Sequence, residues 1–205
     1  MLDGYTGFSQ VKILPKENRI VGYVRNGRGL TDNLKSYFVI QFDRPITDYG
    51  VWENREKKQW KGELEKEGRG AGAWVRFDDG VNVQAKVASS YISPEQAERN
   101  LATELGLFKS LEDTKAAAWE IWNRHLHRIF VEGGTEEEMA TFYSCYFRAS
   151  LFSRKFYEPD ENGNPYYFSP YDGKIHPGYL YTDTGFWDTF RAQFPLNALL
   201  HPQTY

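Results

Sequence analysis

The chain has 205 residues, of which 40% are apolar and 17% aromatic, and its formal net charge is −3 at neutral pH. That is enough apolar material for one large domain or two modest ones. Positive charge is too scattered to neutralise a run of phosphates, which excludes a nucleic-acid-binding protein. The single cysteine, Cys145, excludes an internal disulfide and a cysteine-based zinc site.

No apolar run reaches the roughly 18 residues that read as a membrane-spanning helix. Met1-Leu-Asp-Gly-Tyr5 lacks the charged and apolar regions of a signal peptide. Up to about residue 92 the pattern is that of strands. Gln10–Leu14 and Arg19–Val24 flank the turn-like Pro15-Lys-Glu-Asn18, which predicts a hairpin. Ser36–Phe42 is a near-continuous β-branched and aromatic run, as in a strand covered on both faces. Gly70–Phe77 and Val81–Ala88 bracket Asp78-Asp-Gly80, and the alternation of Val81, Val83, Ala85 and Val87 predicts a half-exposed antiparallel strand. The mixed-sign run Glu53–Lys66 reads as a solvated loop or edge strand. Four or five strands of this kind imply part of an antiparallel β-sandwich.

At Ser93 the period changes. Ser93, Pro94 and Gln96 supply an N-cap, a proline at the first helical position and a capping-box partner, so a helix is expected from there to Leu105, stopped by Gly106. Ser110 and Asp113 offer a second cap, ahead of a helix over Ala116–Phe130 whose stripe of Trp119, Trp122, Leu126, Ile129 and Phe130 predicts packing against something substantial. Gly133-Gly134 should end it. Thr135 with Glu138 caps a third helix with Met139, Phe142, Tyr143, Tyr146, Phe147 and Leu151 on its apolar side. Cys145, set among aromatics, is expected to be buried and inert. His125 and His127 are two apart and face different sides, so they read as surface or cap residues, and His176 and His201 as isolated ones. Glu158–Asn164 is oxygen-rich but lacks the glutamate of an EF-hand, which makes it a turn. Tyr166–Gly173 is expected to continue as a long loop.

The stretch Gly178–His201 is the most informative. Rings at Tyr179, Tyr181, Phe186, Trp187 and Phe190 are interleaved with Asp183, Asp188 and Arg191, a mixture that suits a sugar, whose C–H faces stack on rings and whose hydroxyls seek carboxylates. From Thr184 the spacing turns helical. Asp188 and Arg191, three apart, are placed to pair, and Pro195 predicts a kink or two short helices. Spacing alone leaves two readings open, a buried amphipathic helix with a structural ion pair and the wall of a sugar site.

Gly185-Phe-Trp-Asp-Thr-Phe-Arg-Ala-Gln-Phe-Pro-Leu196 resembles the Trp-Asp-Thr-aromatic-Arg…Pro-Leu segment of glycoside hydrolase family 92, the calcium-dependent exo-acting α-mannosidases of bacteria. Ser89-Ser-Tyr-Ile-Ser-Pro-Glu-Gln-Ala-Glu-Arg-Asn-Leu101 resembles that family's junction between sandwich and helical domain. Trp122…Leu126…Ile129…Val131-Glu-Gly-Gly-Thr135 followed by Phe142-Tyr-Ser-Cys-Tyr-Phe-Arg148 resembles its first barrel helices. The resemblance implies an α+β multidomain chain. Residues 1–92 would form a partial antiparallel β-sandwich, 93–134 a helical linker, and 135–205 the start of an (α/α)6 barrel.

It further implies an inverting α-mannosidase of the α-1,2 type, removing terminal mannose from glycans in the periplasm or outside the cell. Trp187 and Asp188 would contact the sugar, with Asp183 and Arg191 as neighbours. The family's acid glutamate, base aspartate and calcium ligands come from helices farther along than Tyr205. The expectation is therefore an internal piece, inactive alone, with no catalytic residue or metal ligand of its own. Its apolar seam would be covered by the remainder of the parent enzyme or by self-association. The alternatives are a non-catalytic carbohydrate-binding module and a purely structural one.

Overall fold

The computed structural model describes residues 7–25, 33–53, 58–106, 110–182 and 184–203. In chain order the strands begin with β1 (Phe8–Leu14), β2 (Arg19–Val24), β3 (Ser36–Phe42), β4 (Asp48–Glu53), β5 (Lys58–Lys61), β6 (Glu65–Arg69), β7 (Gly72–Arg76) and β8 (Ala85–Ser90). Helices α1 (Pro94–Asn100), α2 (Leu111–Leu126) and α3 (Glu136–Ala149) follow. The short strands β9 (Arg154–Lys155), β10 (Glu158–Pro159), β11 (Pro165–Phe168), β12 (Ile175–Pro177) and β13 (Tyr181–Thr182) precede α4 (Phe186–Thr189) and α5 (Gln193–Leu200). Two compact units result: 1–109 with 158–178, and 110–157 with 179–205.

The first unit is the expected antiparallel sandwich. One sheet runs β6-β1-β2-β3-β8 and the other β5-β4-β7. Val11, Ile13, Ile20, Val24 and Phe38 from the larger sheet close on Val51 from the smaller, with Tyr49, Trp60, Ala73 and Val75 around them. Val39 points to the other face, where it meets Ala97 of α1, Leu101 and Leu105. β3 is thus covered on both sides, as its unbroken apolar run requires. Gly22 sits where the strands crowd: a Cβ there would lie 2.0 Å from the Gln10 carbonyl oxygen and 3.0 Å from the Phe38 ring.

The eight strands of the sandwich exceed the expected four or five, because β4, β5 and β6 carry charges or a glycine that mask alternation. β5 and β6 are edge strands, where exposed charge discourages pairing with other chains. Val81 and Val83 lie outside β8 and are exposed, so the predicted strand begins only at Ala85.

After Ser93, whose Oγ accepts the Gln96 N–H, α1 continues into a π-helical turn over Leu101–Leu105. Gly106 follows in right-handed helical geometry, so it does not serve as a left-handed cap. Tyr166–Phe168 belong to β11 of a three-stranded sheet β10-β11-β12, and the expected loop shrinks to the Ser169–Gly173 turn that leads to β12. A polar network joins that sheet to α1. Glu158 accepts from Ser90 Oγ (3.0 Å), Tyr91 N–H (2.8 Å) and Asn100 Nδ2 (2.7 Å). Gln96 donates to Asn100 Oδ1 (2.8 Å) and the Pro159 carbonyl (2.9 Å), and accepts from Tyr166 Oη–H (2.7 Å). Asp160 caps the turn as expected, accepting from the N–H groups of Asn162 and Asn164 (2.8 Å each).

In the second unit α2 and α3 both start on reciprocal capping boxes, Ser110 with Asp113 and Thr135 with Glu138. α2 ends four residues before Phe130, capped by His127, whose ring nitrogen meets the Asn123 carbonyl at 2.7 Å. The glycines at 133 and 134 therefore belong to the following loop. α2 and α3 meet through Trp122 and Phe147, whose rings are 4.5 Å apart. Trp119 is 65% exposed and no residue of α2 is buried, so within the described residues the apolar stripe has no substantial cover. Cys145 is exposed, contrary to expectation, because α3 turns Tyr146 inward instead. No helix among the described residues is long and apolar enough to cross a membrane.

Candidate functional site

The predicted interruption near Pro195 appears as two short helices, but the break falls earlier. α4 ends at Thr189, and α5 begins at Gln193 and takes Pro195 into its first turn, where a missing N–H costs nothing. Gln193 Nε2 donates to the carbonyls of Ala149 (2.8 Å) and Phe152 (3.0 Å), so α5 satisfies orphan acceptors at the end of α3.

These pieces enclose a cleft of about 810 Å3. Phe186, Phe190 and Phe194 form one wall, Tyr181 and Phe152 the rim, and His125, Ser150 and His201 supply the polar groups. Phe186 stacks on Phe190 at 5.7 Å. The two imidazoles are stacked, their centroids 4.3 Å apart and their planes 5° from parallel. Each has a partner: His125 Nε2 meets Ser150 Oγ at 2.8 Å, and His201 Nε2 meets Tyr146 Oη at 3.2 Å. Tyr146, only 3% exposed, also stacks on His125.

Burial first, and then the nearby Arg128 guanidinium, push the His125 imidazole below its ordinary pKa. Burial, His125 and Arg128 do the same to His201. Arg128 itself is held by the Leu200 carbonyl. A neutral, stacked histidine pair is a hydrogen-bonding floor rather than a cationic one. These residues were not expected at a site. His125 and His201 are far apart in sequence, and only their position on facing helices unites them.

Of the predicted sugar contacts, Trp187 and Asp188 lie on α4 and Arg191 two residues beyond its end, while Asp183 lies outside the described residues. None of the three described ones lines the cleft, although Trp187 and Arg191 both border the Phe190 ring. Trp187 is 76% exposed and Asp188 is exposed. The expected Asp188–Arg191 ion pair is not present. The Arg191 guanidinium instead lies over the rings of Phe190 (5.4 Å) and Trp187 (5.8 Å), where its flat face keeps contact without desolvating a carboxylate. Asp188 folds back on its own turn, with Oδ2 2.7 Å from where a Cβ at Gly185 would lie, and its exposed carboxylate is free to swing away from there. Trp187, Asp188 and Arg191 thus offer an open platform of indole, carboxylate and guanidinium, a set that matches a hydroxylated ring.

Among the described residues no group of three or more His, Cys, Asp or Glu side chains comes together to hold a metal ion. They do not fit a calcium cage, which needs six to eight oxygen ligands.

The fold is an antiparallel sandwich followed in sequence by helices. Residues 3–90 match the glycosyl hydrolase family 92 N-terminal domain, and residues 96–205 match the glycosyl hydrolase family 92 catalytic domain. The chain belongs to glycosyl hydrolase family 92. The structure of a family 92 inverting mannosidase from Bacteroides thetaiotaomicron is similar over 98% of this chain, with 41% identity and a TM-score of 0.93. An α-mannosidase of the family from the same species (22% identity, 93% of this chain, TM-score 0.74) and the family 92 glycosyl hydrolase ccman5 (22%, 95%, 0.78) share the fold. The chain spans 27%, 26% and 26% of the lengths of these three. No curated protein matches it.

Proposed function

We propose that this chain is the sandwich and opening helical part of an exo-acting, inverting α-mannosidase of the α-1,2 type. It would remove terminal mannose from glycans in the periplasm or outside the cell. The observation that carries this reading is the 41% identity, over 98% of the chain, to an inverting mannosidase.

Inversion needs a carboxylic acid that protonates the leaving oxygen and a carboxylate that activates water, about 6.5–9.5 Å apart to leave room for that water. We assign neither role to a described residue, and the expected outcome is that the 205 residues alone turn over no mannoside. Their part is binding. Asp188 accepts hydrogen bonds from sugar hydroxyls, Trp187 stacks on the ring, and Arg191 holds the indole in place from its other contacts; Asp183 is a neighbour in the same role. Calcium, a hard cation suited to hydroxyl ligands, would be held by polypeptide other than the described residues, and no step here passes through it. Exposed Trp119, Phe130 and Phe186 form apolar surface that the rest of the parent enzyme or a second copy covers.

Titration with methyl α-mannopyranoside and an assay with an aryl α-mannoside test this together. Binding that is weakened by Trp187→Ala and Asp188→Asn, without turnover, is the expected result. Turnover overturns the assignment of acid and base elsewhere, and binding indifferent to both substitutions overturns the platform.

A further inference from the structure

We propose that the stacked imidazoles of His125 and His201 form a pH-sensitive latch on the C-terminal end of α5, closed while at least one ring is neutral and open when both are cationic. The latch lies wholly within the second unit and stands apart from the mannosidase reading.

α5 is fastened in two different ways. At its start and middle, Gln193 Nε2 donates to the carbonyls of Ala149 and Phe152, and Asn197 Nδ2 reaches the Ala149 carbonyl at 3.4 Å; none of these groups titrates. At its end the Leu200 carbonyl accepts from Arg128, and His201 closes the helix with its N–H on the Asn197 carbonyl at 2.7 Å. The His201 ring then lies on His125 of α2, centroids 4.3 Å apart. Only this end depends on protonation.

Hydroxyl protons decide how much charge the stack tolerates. Ser150 has one, donated to the Tyr146 carbonyl at 2.9 Å, so toward His125 Nε2, 2.8 Å away, its oxygen accepts. Neutral His125 therefore carries its proton on Nε2. Tyr146 Oη lies 3.2 Å from His201 Nε2 and 3.3 Å from the His125 carbonyl. Where His201 Nε2 is bare the hydroxyl donates to it; where Nε2 carries a proton the hydroxyl accepts and turns its own proton to the carbonyl. Tyr146 thus serves His201 neutral or charged, and one proton enters without the loss of a bond.

A second proton has to go to His125 Nδ1, which sets two cations face to face. The surroundings add to the conflict. Arg128, from the turn after α2, is a third cation beside the pair, while α5 itself has no ionisable side chain. Tyr146 of α3 stays neutral, its hydroxyl raised above the usual phenol pKa by burial. No carboxylate acts on either ring among the described residues. Burial before all else holds both imidazoles below their ordinary pKa, so the closed form is favoured above about pH 6.5 and lost as pH falls through the folded values.

Nuclear magnetic resonance of the 205-residue chain tests this. Nitrogen-15 shifts of the imidazoles at pH 8 should show His125 with its proton on Nε2, and a bare Nε2 overturns the proposal. Between pH 7.5 and pH 5 the protection factor of the backbone amide at position 201 should fall at least about tenfold. Amides inside α3 should keep theirs over that range, with the far-UV circular dichroism unchanged. His125→Phe, which retains a ring for the stack, should abolish the fall, and His201→Phe asks the same from the other side if the first variant does not fold. Protection at position 201 that is constant with pH, or that falls only together with the amides of α3, overturns the latch. So does a fall that persists in the phenylalanine variants.

Discussion

Glu158 is the residue whose replacement reports most directly on how the first unit is held. Its carboxylate accepts from the Ser90 hydroxyl and the Tyr91 amide on Oε1 and from Asn100 Nδ2 on Oε2. Ser90 is 2% exposed, and its oxygen already accepts from the Ile92 N–H at 2.9 Å, so its one proton has Glu158 as its acceptor. Hydrogen bonds to a charged acceptor contribute about 1.5–3 kcal/mol each, and a buried donor left without one costs about 1–3 kcal/mol. Glu158→Ala should therefore destabilise the unit by about 3–5 kcal/mol, less than the sum of three bonds because water enters the space vacated.

Glu158→Gln keeps the shape and is the sharper test. Its amide NH2 must face either Asn100 Nδ2 or the Ser90 and Tyr91 donors. Turning Asn100 over to present its oxygen would set its NH2 against Gln96 Nε2, and turning Gln96 in response would set its NH2 against the Tyr166 hydroxyl and Arg99. The direction of the network is fixed, so one donor–donor conflict survives at about 1–3 kcal/mol. Urea unfolding gives the loss, and hydrogen exchange of the Tyr91 amide localises it. A glutamine variant within about 0.5 kcal/mol of the native chain, with Tyr91 equally protected, would refute the network account.

The histidine pair sets a pH dependence. Because His125 and His201 are held below their ordinary pKa, the neutral pair's contribution is fully present above about pH 6.5 and is lost as pH falls from there through the folded values. The unfolding midpoint of the second unit should drop between pH 7.5 and 5, and His201→Phe, which keeps the stack but not the titration, should flatten the slope; an unchanged slope refutes this. Thr135→Ala removes the α3 cap that accepts the Glu138 N–H and should cost about 1 kcal/mol in urea unfolding. Glu138 donates no proton at neutral pH, and the Thr135 backbone and hydroxyl hold its carboxyl below the usual range, so its share is present above about pH 4.3 and is lost as pH falls through the folded pKa. Gly22→Ala has no room beside the Gln10 carbonyl and should destabilise the sandwich by more than the few tenths of a kcal/mol usual for an exposed change, read by thermal melting.

What was legible in the sequence is what local chemistry dictates. The starts of α1, α2 and α3 follow from a side-chain oxygen and its partner three residues on. β3 follows from a run too apolar for a surface strand. β4 was hidden because Gly50 stands where alternation needs a side chain, and β5 and β6 because edge strands carry charge. The Trp-Asp-Thr segment gave the family at once. It did not give the geometry, since Arg191 is equally able to pair with a carboxylate or lie on a ring, and the choice depends on the rings that α4 presents.

The same limit explains the histidines. Periodicity along a single helix leaves His125 as a surface or cap residue. Its real environment is made by α5, whose own anchoring depends on Gln193 reaching the end of α3. A residue's burial is then a property of pairs of elements, and ionisable groups are where the error shows most, because they are the ones whose chemistry burial changes. Cys145 makes the converse case. Aromatic neighbours in sequence suggested an interior, yet on a helix the residues beside it point elsewhere, and Tyr146 takes the inward position. Neighbours in sequence report a helix residue's surroundings only at three- and four-residue spacing.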